Sequence, residues 1–360
     1  MPEITKIAIT GGPCGGKSTA LCQIQSAFTD MGYTVLFVPE TATELIDGGV
    51  TPKNCPVFQK TLLTLQIEKE KAFFNAASAM DAEKVLIVCD RGAMDNKAYM
   101  SDSEFNEILT TLNTSEVELR DGYDAVFHLV TAAKGAKEFY TNENNPARTE
   151  DENEAAEIDD KLIAAWTGHP HFRVIDNSSE FEDKIKRLIK EISSFLGEPE
   201  PFETERKFLI ERPDVEALEA LPNCRKVEII QTYLKSDNGD EVRVRQRGER
   251  GNYIYFQTIK RSVTPLKRVE IEKRLSQNEY LERLMDADTT KHPIRKNRYC
   301  LTYNNLYFEI DIFPSWDDEA LCEIELCDEN EEIVFPDFIR IIKEVTDDDR
   351  YKNASLAERI

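Results

Sequence analysis

The stretch Gly11-Gly12-Pro13-Cys14-Gly15-Gly16-Lys17-Ser18 decides the fold of the first half of the chain. It fits the pattern G-x-x-x-x-G-K-[ST], in which backbone N–H groups surround phosphates and the lysine reaches the outer ones. The serine hydroxyl of this pattern ligates Mg²⁺, and the following helix presents its positive N-terminus. An apolar run at residues 6–10 precedes the glycines, and a helical pattern at residues 18–30 follows them. That order favours a phosphate-binding P-loop over a plain glycine-rich turn.

Short apolar runs alternate with helical patterns through this half of the chain. The further apolar runs are residues 34–39, 85–89, 125–130 and 172–175, and the further helical patterns are residues 59–82 and 180–196. Continuous apolar strands separated by helices are typical of a parallel sheet with helices on both faces. We therefore predict an α/β P-loop NTPase domain at residues 1–198 that binds a nucleoside triphosphate. The N-K-x-D signal of guanine recognition is missing, so the choice between GTP and ATP stays open.

Polar residues follow the predicted strands at the edge of the sheet where the P-loop lies. Asp90 ends one strand and is placed to hold the Mg²⁺ shell, although a helix cap is the alternative. Glu40 ends another strand, with capping again as the alternative. Arg91 is placed to touch a phosphate, Arg148 is either a lid arginine or a solvated loop charge, and Asn177 lies near the expected position of the base. The predicted nucleotide-binding residues are Gly11, Gly12, Pro13, Cys14, Gly15, Gly16, Lys17, Ser18, Thr19, Arg91, Arg148 and Asn177, and the predicted Mg²⁺ ligands are Ser18, Glu40 and Asp90.

A break at Gly197-Glu198-Pro199-Glu200-Pro201 separates two kinds of pattern. Proline and glycine disrupt both helices and strands, so we predict a second domain at residues 199–360. Strand periodicity occurs at residues 202–210, 228–234, 241–247, 253–260, 269–275, 305–313 and 321–326. This spacing predicts an α+β domain built on an antiparallel sheet or barrel.

Charged residues share one face of these predicted strands, because side chains alternate between the two faces of a strand. The basic positions are Lys207, Arg243, Arg245, Arg247, Lys260, Arg268, Lys296 and Arg298, and the acidic positions are Glu203, Glu205, Glu270, Glu272, Glu309, Asp311, Glu323 and Glu325. Two architectures give this alternation. Either an open sheet exposes its charges to water, or a barrel lines its lumen with them. A lumen with basic and acidic strands would bind a polyanion together with Mg²⁺ or Mn²⁺.

Both halves resemble known families. The stretches T-G-G-P-C-G-G-K-S-T, V-P-E-T-A-T, C-D-R-G-A-M-D and W-T-G-H-P are similar to the P-loop domain shared by NadR-type kinases and the family of the TRPL translocation defect protein. The stretches E-T-E-R-K, V-R-V-R, T-I-K-R, V-E-I-E, R-K-N-R, E-I-D and E-I-E resemble the CYTH, or triphosphate tunnel, superfamily. The order of the two domains is that of the TRPL translocation defect family.

The CYTH resemblance implies roles for the charged positions. Basic residues of that family bind a triphosphate and carboxylates hold catalytic metals. The implied catalytic residues are Glu203, Glu205, Lys207, Arg243, Arg245, Lys260, Arg268, Lys296 and Arg298, and the implied metal ligands are Glu203, Glu205, Glu270, Asp311, Glu323 and Glu325. The resemblance to the TRPL translocation defect family implies a GTP-binding, phosphoinositide-binding factor in membrane-protein trafficking.

Composition limits the class of partner. The net charge of -23 argues against a duplex nucleic-acid partner, because such affinity comes mainly from Lys and Arg on phosphates. Apolar runs stay well below the roughly 18 residues of a membrane span. The eight cysteines form no C-x-x-C pair and read as reduced thiols, so we expect a soluble, cytoplasmic protein.

Three functions are compatible with these features. The first is an enzyme that binds Mg²⁺ and a nucleoside triphosphate at the P-loop and hydrolyses a triphosphate in the tunnel. The second is a non-enzymatic switch that reads a polyphosphate or phosphorylated headgroup, with a peripheral membrane lipid as partner. The third is a small-molecule kinase of the NadR type.

Overall fold

The computed structural model describes residues 2–55, 57–136, 151–198, 204–236, 240–264, 267–326 and 332–358, without the side chains of residues 204, 261–264 and 267–271. The chain divides into two compact units, Met1–Ser193 and Ser194–Ile360. Each unit has its own sheet.

The described part of the first unit contains a five-stranded parallel sheet in the order β2-β3-β1-β4-β5. Its strands are β1 (Glu3–Thr10), β2 (Thr34–Val38), β3 (Lys84–Asp90), β4 (Ala125–Leu129) and β5 (Phe172–Ile175). The centres of β1 and β3 are completely buried, as at Ile7 and Ile87. Burial on both faces explains why these strands read as unbroken apolar runs.

Helices connect these strands. They are α1 (Lys17–Asp30), α2 (Thr41–Asp47), α3 (Phe58–Ser78), α4 (Asp102–Leu112), α5 (Glu116–Arg120), α6 (Glu152–Trp166) and α7 (Phe181–Phe195), with a 3-10 helix at Ala93–Tyr99. Helix α6 begins after the N-cap Asp151, whose side chain accepts hydrogen bonds from the backbone N–H groups of Asn153 and Glu154. The negative first turn of α6 suits the positive end of a helix dipole.

The second unit contains an antiparallel sheet of nine described strands in the order β10-β9-β8-β7-β11-β12-β13-β6-β14. The strands are β6 (Thr204–Glu211), β7 (Cys224–Leu234), β8 (Glu241–Glu249), β9 (Asn252–Thr264), β10 (Lys267–Leu275), β11 (Ile294–Tyr303), β12 (Leu306–Ile312), β13 (Glu319–Leu326) and β14 (Ile341–Glu344). Three short helices accompany them, α8 (Val215–Glu219), α9 (Gln277–Arg283) and α10 (Asn353–Leu356), with 3-10 turns at Leu284–Asp286 and Asp349–Tyr351. The predicted fold classes of both halves, a parallel α/β domain and an antiparallel β domain, are confirmed.

The two faces of the second sheet carry different side chains. One face is an apolar core in which Phe208, Phe308 and Ile324 pack together with Leu218 of α8. The opposite face carries the alternating charges, and several of these are buried, including Asp311 at 0% exposure. A sheet that simply exposes its charges to water is therefore excluded for this region. The charged face is enclosed, as a tunnel requires.

Two strands of the second unit are missing from the sequence prediction. Strand β11 carries the predicted residues Lys296 and Arg298, but alternating polar residues interrupt its apolar pattern. Strand β14 is only four residues long and all of them are exposed, so it has no buried face to give a period. No helix within the described residues has the length and apolar character needed to cross a bilayer.

Candidate functional sites: a P-loop and a buried charged face

The P-loop joins β1 to α1 at the carboxyl edge of the parallel sheet. Gly16 is the N-cap of α1 with a φ of 93°, and Lys17 is the first residue of the helix. A side chain at Gly11, whose φ is 143°, would lie 2.1 Å from the backbone oxygen of Leu129 on β4. The loop therefore packs backbone against backbone and leads into a helix N-terminus, the part of a helix that binds anions.

Lys17 contacts the loop that precedes it. Its Nζ donates to the carbonyl oxygens of Gly11 at 2.9 Å and Gly12 at 3.1 Å. Burial lowers the pKa of Lys17 to about 8, and the nearby charge of Arg91 acts in the same direction. The ammonium group is thus held over the loop, where phosphates would replace its carbonyl partners.

Arg91 and Glu40 form an ion pair at the ends of β3 and β2. Arg91 Nε donates to Glu40 Oε1 at 2.5 Å, and its NH1 donates to Gly11 O at 3.3 Å and to Asp95 Oδ2 at 3.2 Å. Burial alone would raise the pKa of Glu40, but the charges of Arg91 and Lys17 outweigh it and lower the pKa to about 2. Glu40 is therefore a permanent carboxylate beside the P-loop.

Asp90 is the best candidate for an Mg²⁺ ligand in this unit. Its Oδ1 is buried without a hydrogen-bond partner among the described residues. Burial raises the pKa of Asp90, against the attraction of Lys17. An unsatisfied buried carboxylate oxygen is costly, and a hard cation would satisfy it. Ser18 is exposed in the first turn of α1, so the residues present fit a cation held by Ser18 and Asp90, with Glu40 nearby.

Two buried aspartates brace the loop and are absent from the sequence prediction. Asp95 accepts from Thr10 Oγ1 at 2.7 Å and from Trp166 Nε1 at 2.6 Å. Asp159 of α6 accepts from the backbone N of Gly12 at 3.0 Å. Both lie far from the P-loop in sequence, and neither stands at the end of a strand. Asp95 is the last residue of the stretch C-D-R-G-A-M-D that carries the family resemblance, whereas Asp159 has no such local signal.

Asp159 gathers three further donors. His128 Nε2 donates to it at 2.9 Å, the backbone N of Thr131 at 3.1 Å and Lys134 Nζ at 3.0 Å. Burial would raise the pKa of Asp159, but the His128 and Lys134 interactions lower it. This carboxylate ties the P-loop to β4 and to α6.

Asn177 contacts neighbouring segments of this unit. Asn177 Nδ2 donates to Thr131 O at 2.8 Å and to Lys134 O at 2.7 Å, and its Oδ1 accepts from Lys184 Nζ at 2.7 Å. Its amide therefore braces two loops. Arg148 lies outside the described residues.

The charged face of the second unit is centred on Arg298 of β11. Arg298 Nε and NH2 each donate to Asp311 at 2.7 Å, and NH2 also donates to Glu323 Oε2 at 2.7 Å. Its NH1 donates to Glu309. Lys296 Nζ lies 2.5 Å from Asp311 Oδ2. Because Asp311 is completely buried, these bonds compensate a charge that has no access to water.

Strand register brings β6 into the same cluster. Lys207 is paired with Glu323, and Glu205 with Glu325, across β6 and β13. Lys207 Nζ lies 2.7 Å from Glu323 Oε1 and 3.5 Å from Glu205 Oε1. The face therefore joins cations and carboxylates from four strands, β6, β11, β12 and β13.

Glu205 and Glu323 have opposite pKa shifts. Burial raises the pKa of Glu205, and the negative charge of Glu323 raises it further. Burial would also raise the pKa of Glu323, but the charges of Arg298 and Lys207 outweigh it and lower the pKa. Two carboxylates close enough to oppose one another's ionisation form an oxygen-rich site that suits a hard divalent cation.

A second charged group lies on β8, β9 and β10. Arg245 NH2 donates to both oxygens of Glu272, at 3.1 and 2.9 Å, and Thr258 Oγ1 donates to Glu272 Oε2 at 2.9 Å. Arg243 stands opposite Thr258 in the register, and Lys260 stands opposite Glu241. Burial lowers the pKa of Arg245.

Sequence reasoning placed Glu272 and Glu309 on the charged face but gave them no role. Both turn out to be direct partners of its arginines. The available signal was their spacing, because Glu272 lies two residues from Glu270 and Glu309 lies two residues from Asp311 on the same strand face. Among the described residues, no group of three or more His, Cys, Asp or Glu side chains has the arrangement of a formed metal site.

Four predicted residues of this unit are less defined. Glu203 lies outside the described residues, and the side chains of Arg268 and Glu270 are not described, although both belong to β10. Glu325 is half-buried on β13. The role predicted for each position of the charged face stays a prediction.

Comparison with known families assigns each half. The family described as "AAA domain" matches residues 6–184, and the family described as "CYTH domain" matches residues 201–360. The chain is an AAA-type domain fused to a CYTH domain. The charged face therefore belongs to the CYTH domain and the P-loop to the AAA-type domain. Neither family description mentions the TRPL translocation defect protein, so that narrower resemblance stays a prediction.

Solved structures resemble one half or the other. The inorganic triphosphatase NE1496 is 30% identical over 44% of this chain and 96% of its own, with a TM-score of 0.32. Deoxyadenosine kinase from M. mycoides, solved with bound dATP, is 19% identical over 53% of this chain and 100% of its own, with a TM-score of 0.37. The PH1012 protein from Pyrococcus horikoshii OT3 is 18% identical over 36% of this chain and 81% of its own, with a TM-score of 0.26. No curated protein matches the chain.

Proposed function

We propose that the CYTH domain hydrolyses a phosphoanhydride of a triphosphate with Mg²⁺ or Mn²⁺, while the AAA-type domain binds an Mg²⁺-nucleoside triphosphate, ATP or GTP. The observation that carries the proposal is the buried set of alternating charges around Arg298, Lys207 and Glu323. A buried charge network is weak evidence for stability, because apolar side chains of similar volume often serve as well or better. Such a network is better explained by a ligand that carries both charges, such as a polyphosphate with its cation.

The two halves of the network suit the two parts of that ligand. Lys207, Lys296 and Arg298 supply donors for phosphate oxygens, and arginine is suited to bidentate phosphate contacts. Glu323 supplies an oxygen ligand for the cation, and Glu205 stays available as the base. When bound, the cation supplies Lewis-acid stabilisation of the phosphoryl oxygens.

In the proposed reaction a water oxygen attacks the terminal phosphorus and the bridging P–O bond breaks. Glu205 accepts the proton that the water loses, because it lies on the same charged face as Lys207 and Glu323 and can act there as a general base. The electron pair of the broken bond stays on the bridging oxygen, where Lys207 and Arg298 stabilise its charge. The products are orthophosphate and the shortened phosphate chain.

A second candidate is phosphoryl transfer from the nucleotide at the P-loop to an acceptor hydroxyl. Lys17 and Arg91 favour it, because they place two cations at the loop for the transferred phosphoryl group, while the unpartnered Oδ1 of Asp90 is left to the Mg²⁺ ion. Glu40, held by Arg91, would orient the acceptor. No acceptor is identified by these contacts.

One experiment tests both candidates. Purified full-length protein is given tripolyphosphate, γ-labelled ATP or γ-labelled GTP with Mg²⁺ or Mn²⁺, and the label is followed into orthophosphate and into a panel of nucleosides. The variants are Glu205→Gln and Lys17→Ala. The control is Glu211→Gln, on the same strand as Glu205 but exposed.

We expect Glu205→Gln to slow phosphate release from tripolyphosphate by about 100-fold or more, which is the usual size of a lost general base. Lys17→Ala and Glu211→Gln should leave that rate unchanged, and Lys17→Ala should abolish nucleotide binding at the P-loop. Wild-type release by Glu205→Gln would overturn the hydrolase proposal. Label that appears in a nucleoside and depends on Lys17 would establish the kinase function instead.

A further inference from the structure

An aromatic ring lies directly on the P-loop and has no role in the phosphate contacts described above. Phe181 is the first residue of α7. A side chain built on Gly16 would approach Phe181 Cε2 to 2.5 Å and its Cζ to 3.0 Å, so the ring edge occupies the space that Gly16 leaves free. The rest of the Phe181 side chain is open, and the residue is 43% exposed.

The position of this ring follows from the strand order. Strand β5 lies two strands away from β1, across β4, which is a distance of about 10 Å at the usual spacing of strands. The P-loop follows β1, and the segment that carries Phe181 follows β5. A nucleotide whose phosphates lie on the P-loop must place its nucleoside beyond that loop, along the carboxyl edge of the sheet, where ligands of open α/β sheets bind.

The segment that carries Phe181 is held firmly. Lys184 of α7 donates to Val130 O and to Asn177 Oδ1, both at 2.7 Å. Arg187 donates to Asp176 Oδ1 at 2.9 Å and to Asp176 O at 2.8 Å. These bonds fix the start of α7 against β4 and β5, so the ring is preorganised on the loop.

Asn177, the residue expected near the base, uses its amide in bracing contacts. Both ends of that amide are engaged with Thr131, Lys134 and Lys184. Phe181 provides an exposed apolar surface beside the P-loop. We propose that Phe181 is the platform on which the base of the bound nucleoside triphosphate stacks, an inference that rests on the proposed nucleotide binding at Lys17.

Stacking on an aromatic ring tolerates any base, because every base has a π-face. Phe181 should therefore contribute similarly to the affinity for ATP and GTP and nothing to the affinity for a ligand without a base. This separates stacking from an indirect effect, since a ring that merely shapes the loop around Gly16 would affect phosphate ligands as well.

The test measures dissociation constants of full-length protein for Mg·ATP, Mg·GTP and Mg·pyrophosphate by calorimetry. Each titration is repeated in Lys17→Ala, and the binding that this variant removes is assigned to the P-loop. The variants are Phe181→Ala and Phe181→Tyr. The matched control is Phe74→Ala, because Phe74 has the same chemistry and is 45% exposed. It lies near the end of α3, which leads into the start of β3 at the edge of the sheet opposite the P-loop.

We expect Phe181→Ala to weaken the Lys17-dependent binding of both nucleotides roughly tenfold and to leave pyrophosphate binding unchanged. Phe181→Tyr and Phe74→Ala should bind nucleotides as the wild type does, and Phe181→Tyr keeps the test valid if the alanine variant is unstable. Unchanged nucleotide affinity in Phe181→Ala, or an equal loss for pyrophosphate, would overturn the stacking role while nucleotide binding stands. Absence of any Lys17-dependent nucleotide binding in the wild type would overturn both.

Discussion

The two candidate phosphate sites of this chain are built in different ways. The P-loop uses backbone groups and a lysine that donates to carbonyl oxygens. The charged face uses side chains that neutralise one another, with Arg298 in contact with three carboxylates. The first is contributed by a few consecutive residues and the second by strands distant in the sequence.

This difference has an energetic consequence. Removal of the Lys17 side chain should cost the protein little stability, because glycine conformation and backbone packing maintain the geometry of the P-loop. In a network of buried charged side chains, removal of one side chain leaves its partners unpaired. An unpaired buried charge lowers the stability of the protein far more than a broken surface pair does. Substitutions in the P-loop should therefore change ligand binding with little change in stability. Substitutions in the charged face should change both.

Removal of Arg298 should have the largest effect. Arg298→Ala leaves Asp311, which is completely buried, without its bidentate partner. We expect the free energy of unfolding to fall by about 3 to 5 kcal/mol, the usual result of breaking a buried pair on one side. Chemical denaturation of the full-length protein, followed by circular dichroism, measures this.

The control for Arg298→Ala is Arg206→Ala. Arg206 also bonds a carboxylate at two points, with Nε and NH2 at 2.9 and 2.8 Å from Glu344, but this pair is largely exposed. Its removal should cost about 1 kcal/mol or less. Equal losses in the two variants would show that the charged face is not a strained, interdependent network.

The pH dependence of binding should come next in size. Burial holds the pKa of Lys17 at about 8 in the free protein, and bound phosphates favour the charged form. Nucleotide affinity should therefore be flat with respect to Lys17 below pH 8 and fall by about tenfold per pH unit above it. Calorimetry of Mg·ATP binding between pH 7 and pH 9.5 measures this slope.

The charged face provides the comparison for this slope. Burial would lower the pKa of Arg298, but Asp311 and Glu309 raise it well above its ordinary value, so Arg298 stays charged throughout that range. The Arg298 contribution to tripolyphosphate binding should therefore not vary up to pH 9.5. A nucleotide affinity that stays constant above pH 8 would contradict the assigned state of Lys17.

The smallest effect should distinguish two glycines of the same conformation. Gly16 and Gly32 have φ values of 93° and 90°, and a side chain at Gly32 would meet nothing within 4 Å. Alanine at either position should cost about 1 kcal/mol of stability, the penalty of a left-handed residue. Only Gly16→Ala should weaken nucleotide binding, because only there must Phe181 move. A loss of nucleotide affinity in Gly32→Ala would contradict the assignment of the Gly16 effect to Phe181.

Local patterns predicted the P-loop and its sheet. The motif at residues 11–18 predicted the P-loop, and five apolar runs predicted the parallel strands. Both could be predicted because each is a short contiguous signal. The bracing contacts of Asp95 and Asp159 could not be predicted, although Asp95 belongs to the stretch C-D-R-G-A-M-D, since their partners, such as Thr10 and Gly12, become neighbours only when the chain folds. The same holds for the bracing role of Asn177.

The charged face was predicted from alternation and family resemblance together. Periodicity placed Lys207, Glu323 and Asp311 on charged faces, but it could not say that those faces are buried or which charges meet. The register of β6 against β13 and of β11 against β12 decides the pairs. Register is a tertiary property, and it explains why the partnership of Arg298 with Glu309 was not foreseen.

The strand order of the CYTH domain also bears on how the chain assembles. Strand β6 comes first in this unit, yet it lies between β13 and β14, which come last. During synthesis β6 emerges long before either neighbour and cannot complete its backbone pairing until both have been made. Such distant pairing raises the contact order and slows folding. The ion pair of Lys207 with Glu323 therefore cannot form until β13 has been made, and the charged face is complete only after the sheet is finished.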